Sequence, residues 1–426
     1  MRSGYKQTPI GEIPEEWKVI RIKEVAKTTS GGTPSRNIKQ YYNGTIPWVK
    51  SGELDDNVIK ETEEKITDAG LENSSAKMLP KGALLVALYG ATVGKTAILN
   101  INATTNQAIC AILPKNMELD LHFLQYWLIF RRNHLVSISS GGAQPNISQD
   151  IIRSLKIPLP PMEEQRRIAQ VLSTVDDAIQ KADEAIVRTE RLKKGLMHKL
   201  STEGIGHKEF KETKIGKIPK TWKVVTLKNI TTKIKDIDHK MPEKLERGIP
   251  FVSIKYMLKF PDHDFKIDFD DPDLEFISQE DYEHHRKRFN AEEKDIIYSR
   301  FGTIGNAKLI NTKQSLIASY SIVLIKPDRD EVDASFLVYA LNSGKVRIQA
   351  RIATKGATNR NLHLEDIQNL KIPLPPVREQ QKIAGILSTV DYKLELDRKR
   401  KGKLECIKKG LMNVLLTGKR RVKVAM

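Results

Sequence analysis

The segment GATVGKT, Gly90 to Thr96, places glycines, a lysine and a hydroxyl in the order used by phosphate-cradling loops. One residue fewer separates Gly90 from Gly94 than that pattern requires, and a second copy at Gly302 to Asn306 has no lysine at the matching place. Nucleotide binding is therefore not expected. Both segments read instead as glycine turns between strands, where backbone approaches another surface closely.

Other constellations fail on similar grounds. Pro261 and Asp262, with Glu292 and Lys294 downstream, echo the scattered carboxylates and lysine of metal-dependent nucleases, but the first half of the chain has no equivalent. The Pro-Pro pairs, Pro160-Pro161 and Pro375-Pro376, precede helical patterns and lack the flanks of an adenine methyltransferase motif. The nine histidines, His284-His285 among them, show no metal-ligand spacing, and the two cysteines, Cys110 and Cys406, supply neither a disulfide framework nor a metal site. No catalytic residue, metal site or cofactor site is expected in this chain.

What positions such turns is a duplication. LKIPLPPMEEQRRIAQVLSTVDDAI from Leu155 is echoed by LKIPLPPVREQQKIAGILSTVDYKL from Leu370, and the offset of 215 residues holds without a gap to KKGLM at Met197 and Met412. A second echo pairs YKQTPIGEIPEEWKVI from Tyr5 with FKETKIGKIPKTWKVV from Phe210. Between these markers the halves diverge, although IPWV at Ile46 matches IPFV at Ile249 and ATVGK matches GTIGN.

Each repeated segment predicts a helix of about 40 residues, roughly 60 Å, starting at Pro161 or Pro376, where the fixed φ of proline suits the first turn. Ile168, Leu172, Val175, Ile179, Ala182 and Ile186 recur at steps of four and three, the spacing of a coiled-coil seam. Ile383, Leu387, Val390 and Leu394 repeat it. The second seam breaks at Asp397 and Lys401, then resumes at Leu404, Ile407, Leu411 and Val414. The two helices are natural antiparallel partners for one another, with a globular half expected at each end of the rod.

Short β-type runs (Leu84 to Leu88, Ala108 to Leu113, Asp295 to Ser299, Ser321 to Ile325) and helical stretches (His122 to Phe130, Ser335 to Asn342) predict an α+β domain, twice. The expected division is 1–160, a first helix at 161–203, 204–375, and a second helix with a basic tail at 376–426. The polar stretch Ser201 to His207 is the expected hinge. Seventy-one Lys+Arg against 53 Asp+Glu give a formal charge of +18, which favours a polyanionic partner. Apolar runs are too short to span a bilayer, and a cytoplasmic location is expected.

The order of variable domain, IPLPP helix, variable domain and IPLPP helix resembles the specificity subunits of type I restriction-modification systems across essentially the whole chain. The resemblance implies a non-catalytic protein whose variable halves are target recognition domains, each reading one half of a bipartite site on double-stranded DNA. It implies that the helices set the spacer and dock two methyltransferase subunits, and that a restriction and translocation subunit joins this core. S-adenosylmethionine, ATP and magnesium then belong to the partners alone. Because the halves diverge, the two half-sites should differ.

DNA contacts are expected from residues flanking the glycine turns and polar loops: Tyr89, Lys95, Thr96, Gln144 and Asn146 in the first half, and Arg300, Asn306, Lys308, Asn359 and Arg360 in the second. The basic stretch from Asp391 onward raises the alternatives of spacer-phosphate contact and a solvated face. A drifted nuclease or methyltransferase is the rival from another class, and a purely structural coiled-coil protein would leave two divergent basic domains without a purpose.

Overall fold

The computed structural model describes residues 4–138, 146–237, 241–354 and 361–422. Its two compact units are not consecutive stretches of chain: one comprises Met1–Ala182 with Arg400–Met426, the other Asp183–Lys399. Each long helix therefore contributes to both units.

In the first unit a five-stranded sheet runs in the order Ala26–Ser30, Ile109–Pro114, Leu84–Ala87, Thr96–Leu99, Asn57–Ile59. Its pairs are antiparallel except the last, which is parallel. The central strand LLVA is wholly buried, as a continuous apolar run between two covered faces requires. One face meets the helix Leu121–Phe130, and a smaller sheet of Thr104–Thr105, Tyr42–Val49 and Glu64–Ile66 lies beside it. Cys110 is buried in this core, where burial pushes its thiol up to about 12 and leaves it inert.

The second unit repeats the plan with four strands, Thr231–Lys235, Ile322–Pro327, Ile296–Ser299 and Ala307–Leu309, and the helix Ala334–Asn342. Its smaller sheet, Glu275–Ile277, Ile249–Val252 and Ile317–Ala318, is backed by a separate aromatic core around Phe251, Tyr256, Phe265 and Phe289.

The repeated sequences have concrete structural uses. KIPL forms a strand, Lys156–Leu159 or Lys371–Leu374, that pairs back onto the beginning of its own half at Lys18–Arg21 or Lys223–Thr226. The helices then run over Met162–Thr202 and Val377–Leu415. Their first turns are pinned by buried glutamines. Gln165 accepts the Asp120 amide at 2.9 Å and donates to the Pro160 carbonyl at 2.9 Å, while Gln380 accepts the Asp333 amide at 2.8 Å and donates to the Pro375 carbonyl at 2.9 Å.

The indole N–H of Trp17 donates to Glu164 at 3.0 Å, and that of Trp222 to Glu379 at 3.1 Å. Glu164 is completed by Arg421, at 2.7 Å; Glu379 by His207 at 2.8 Å and the Ile205 amide at 2.9 Å. The stretch expected to be a hinge, Ser201 to His207, is thus fastened at its Ile205 and His207 end to the half-buried Glu379 carboxylate and bends through two glycines at positive φ.

Within each unit a piece of one long helix lies antiparallel to a piece of the other. In the first, Glu164 meets Arg421 beyond the end of the second helix and Asp176 meets Lys408 at 2.6 Å. In the second, Lys193 meets Asp391 at 2.6 Å and Glu190 meets Arg398 at 2.7 Å. Ile168 and Leu172, expected in a seam between helices, are buried in the globular core of the first unit with Met412, Leu415 and Leu416, and Ile383 and Leu387 are buried in the second with Leu200. Leu394 is buried; Val175, Ile179, Ile186, Val390, Leu404 and Leu411 are half-buried. At the expected break Asp397 is buried, bound by Lys393 at 2.6 Å.

Candidate nucleic-acid interface

In the first unit the chain leaves the strand Leu84–Ala87, and Leu88 is caught between neighbours: its amide donates to Ala108 and its carbonyl accepts from Ile147. Tyr89 then bridges to Asn146. The turn swings out through Gly90 (φ +87°) and returns through Gly94 (φ +75°), a left-handed conformation that other residues adopt at a cost. At Gly94 a Cβ would also come 3.2 Å from Arg132 Cγ, so the turn rests directly on that arginine.

The second unit builds the same exit. The Arg300 amide donates to Ser321 and its carbonyl accepts from Leu362, Phe301 bridges to Asn361, and Gly302 (φ +67°) and Gly305 (φ +81°) shape the turn. Gly305 lies over the buried Tyr298, whose phenol burial pushes up so that it stays neutral.

Polar groups hold both turns from beneath. Arg132 Nε donates to the Gly94 carbonyl at 3.1 Å, and its Nη2 forms an ion pair with Asp56. Asp56 in turn accepts the Thr96 amide and hydroxyl, each at 3.1 Å. In the second unit Arg347 Nη2 donates to Asn306 Oδ1 at 3.1 Å and Asn342 Oδ1 at 2.8 Å, and Asn342 closes onto both backbone groups of Ala307.

These contacts sort the residues singled out by sequence. Thr96, Arg300 and Lys308 are buried: Thr96 is committed to Asp56, Arg300 to an ion pair with Asp236, and Lys308 to Asp262 at 2.8 Å and the Phe260 carbonyl at 2.6 Å. They support the turns. Tyr89, Lys95 and Asn306 are half-exposed and Asn146 is exposed, with Lys95 held by Asp55 at 2.6 Å. Gln144, Asn359 and Arg360 lie outside the described residues.

Arg132, Arg347, Asp56 and Asn342 are not among the sequence candidates. Arg132 and Arg347 do keep the 215-residue offset of the repeat, a signal that extending its register backward from Leu155 and Leu370 exposes. In the second unit a cavity of about 900 Å³ adjoins the base of the turn, its walls including Lys193, Asp262, Lys308, Arg347 and Asp391.

Asp262 and Glu292, of the nuclease-like pattern, are engaged by Lys308 and Lys326. Among the described residues no group of three or more His, Cys, Asp or Glu is arranged to hold a metal, and no helix is long and apolar enough to cross a membrane.

The two units thus carry one kind of turn on one scaffold with different side chains. Residues 14–187 and 219–406 each match the model of the type I restriction modification DNA specificity domain. The chain belongs to this family, whose task is recognition of DNA sequence. It is 29% identical to the type I restriction enzyme MjaVIII specificity subunit of Methanocaldococcus jannaschii over 96% of this chain and 94% of that one.

The fold is shared with the crystal structure of the S subunit of the type I restriction-modification system of M. genitalium, with a TM-score of 0.59, 18% identity and coverage of 96% and 97%. A chain solved in a study of complex assembly and conformational transition of the type I system gives 0.57, at 19% identity and coverage of 96% and 99%.

Proposed function

We propose that this chain is the non-catalytic specificity subunit of a type I restriction-modification complex and reads a bipartite, asymmetric DNA site with a fixed gap. The observation that carries this reading is the duplicated glycine turn, set on equivalent backbone in both units but flanked by Tyr89 and Lys95 in one and Phe301 and Asn306 in the other. Regions 1–160 and 204–375 are the two target recognition domains. Tyr89, Lys95, Asn146 and Asn306 are the described candidates for contact with DNA, joined by Gln144, Asn359 and Arg360; Thr96, Arg300 and Lys308 act from below.

The regions 161–203 and 376–426 pair as an antiparallel coiled coil that fixes the gap between half-sites, supported by the Asp176–Lys408 and Lys193–Asp391 pairs. A one-turn change in separation along B-DNA is about 34 Å, so helix length dictates spacer length. Two methyltransferase subunits dock on equivalent faces. Ile407, expected in the resumed seam, is instead 51% exposed, and Leu192, at the matching place in the repeat, is 54% exposed, as apolar anchors for two copies of one partner would be. Restriction and translocation subunits complete a cytoplasmic assembly, and cofactors belong to those partners.

The test is co-expression with the neighbouring methyltransferase in a host free of methylation, followed by mapping of N6-methyladenine. A split, asymmetric motif with a constant gap is expected. Methylation of the same motif without this chain would remove the specificity role, and a continuous motif would remove the ruler.

A further inference from the structure

We propose that Arg132 and Arg347 are positioning residues for the two reading turns, each setting base discrimination in its own half-site through the turn it holds rather than by touching DNA. This rests on the reading of those turns as DNA contacts.

Both arginines come from the helix that follows the sheet-covering helix, Arg132–Ser137 in one unit and Gly344–Ala353 in the other. Both aim the guanidinium at the residue where the turn rejoins the sheet. In the first unit the fork spans two groups at once, the Gly94 carbonyl and the Asp56 carboxylate that carries Thr96. In the second it ties the Asn306 side chain to Asn342, and the Asn306 amide nitrogen faces the carbonyls of Thr303 and Ile304 at 3.4 Å. The chemistry differs, carboxylate in one and amides in the other, yet the mechanical link is the same: helix to arginine to the exit of the turn.

A turn with two left-handed glycines has soft dihedrals and needs such a link. Base-edge recognition depends on paired hydrogen bonds of fixed geometry, and a turn ordered only on binding loses affinity for the correct base first. Arg347 also keeps a buried Nε with no hydrogen-bond partner among the described residues, a cost to folding that suits a residue present for geometry. Lysine keeps the charge but loses the planar guanidinium, which in Arg132 reaches the Gly94 carbonyl through Nε and Asp56 through Nη2 and in Arg347 sets the direction of the Nη2 that joins Asn306 to Asn342.

The experiment uses the complete methyltransferase complex carrying Arg132→Lys or Arg347→Lys. Kd is measured on the cognate duplex and on duplexes with one base changed in either half-site, alongside the thermal midpoint. Each variant should lose about tenfold in discrimination within one half-site, the two variants affecting opposite half-sites, with the midpoint within a few degrees of the parent. Unchanged discrimination, or an equal loss on every duplex, overturns the proposal. Lys95→Ala and Thr303→Ala, on the turns themselves, separate the two ideas. If these change discrimination and the arginine variants do not, positioning alone is refuted; if neither pair does, the turns are not the readers.

Discussion

Lys408 Nζ lies 2.6 Å from Asp176 Oδ1, joining the end of the second long helix to the beginning of the first within one unit. The other unit contains the reciprocal pair, Lys193 with Asp391, also at 2.6 Å. Each aspartate additionally accepts a tyrosine hydroxyl at 2.8 Å, Tyr126 on Asp176 and Tyr339 on Asp391. Every helix thus gives an aspartate near its start and a lysine near its end, and the duplication makes one constraint serve twice.

The two pairs should differ in strength because their burial differs. Asp391 is 3% exposed and Asp176 35%. Asp391→Asn leaves the half-buried Lys193 ammonium beside a neutral amide and is expected to destabilise the second unit by about 3 kcal/mol. Asp176→Asn should cost about 1 kcal/mol. Denaturant unfolding checks this, with fluorescence of Trp222 reporting on the second unit.

Asp391 also sets a pH dependence. Burial pushes its carboxyl up, but the His263 ring at 3.3 Å, the Lys193 ammonium and the Tyr339 hydroxyl outweigh that and hold it below the usual carboxylate range. The unfolded chain therefore binds this proton more readily. The contribution is complete above the unfolded value of about 3.9 and is lost as pH falls through the lower folded value. Stability of the second unit measured from about pH 5 downward should fall less steeply in Asp391→Asn than in the parent.

Arg421 neutralises Glu164, a carboxylate 2% exposed that also accepts the Trp17 indole. Arg421→Ala is expected to cost about 3 kcal/mol in the first unit by stranding that charge. Limited proteolysis should show the first unit opening while the second resists; equal resistance of both would contradict the assignment.

If the second helix follows spacer phosphates, neutralising Lys399, Arg400, Lys401 and Lys403 together should lower the slope of log K against log salt by about 0.9 for each phosphate that is no longer neutralised. Lys399 and Lys401 already meet Glu395 and Glu405 at 2.6 and 3.8 Å, partly exposed pairs that DNA can displace. An unchanged slope in a filter-binding titration would leave the basic face as a solvated surface.

The sequence makes the repeated elements legible because their signals are local. Proline before an acidic turn marks both helix starts to within a residue, and apolar runs mark the central strands. Periodicity cannot distinguish a partner helix from a globular core: Ile168 and Leu172 share one core with domain residues and with Met412 and Leu415 of the second helix. Polar residues beside a turn read as DNA contacts for a related reason. The carboxylates that claim Thr96, Arg300 and Lys308 lie 40, 64 and 46 residues away, and residue type carries no trace of such a partner.

The fastening of the tail has a consequence for synthesis. Tyr5 donates to the Gly418 carbonyl at 2.8 Å, Leu416 is fully buried in the first core, and Arg421 reaches Glu16 and Glu164. On the ribosome the half made first is therefore the last to be completed: its core waits for residues that emerge only after the second half has been translated. A chain that lacks the stretch from Leu416 to Arg421 exposes an unfinished first core to proteases, so a loss late in the sequence penalises the half that was made early.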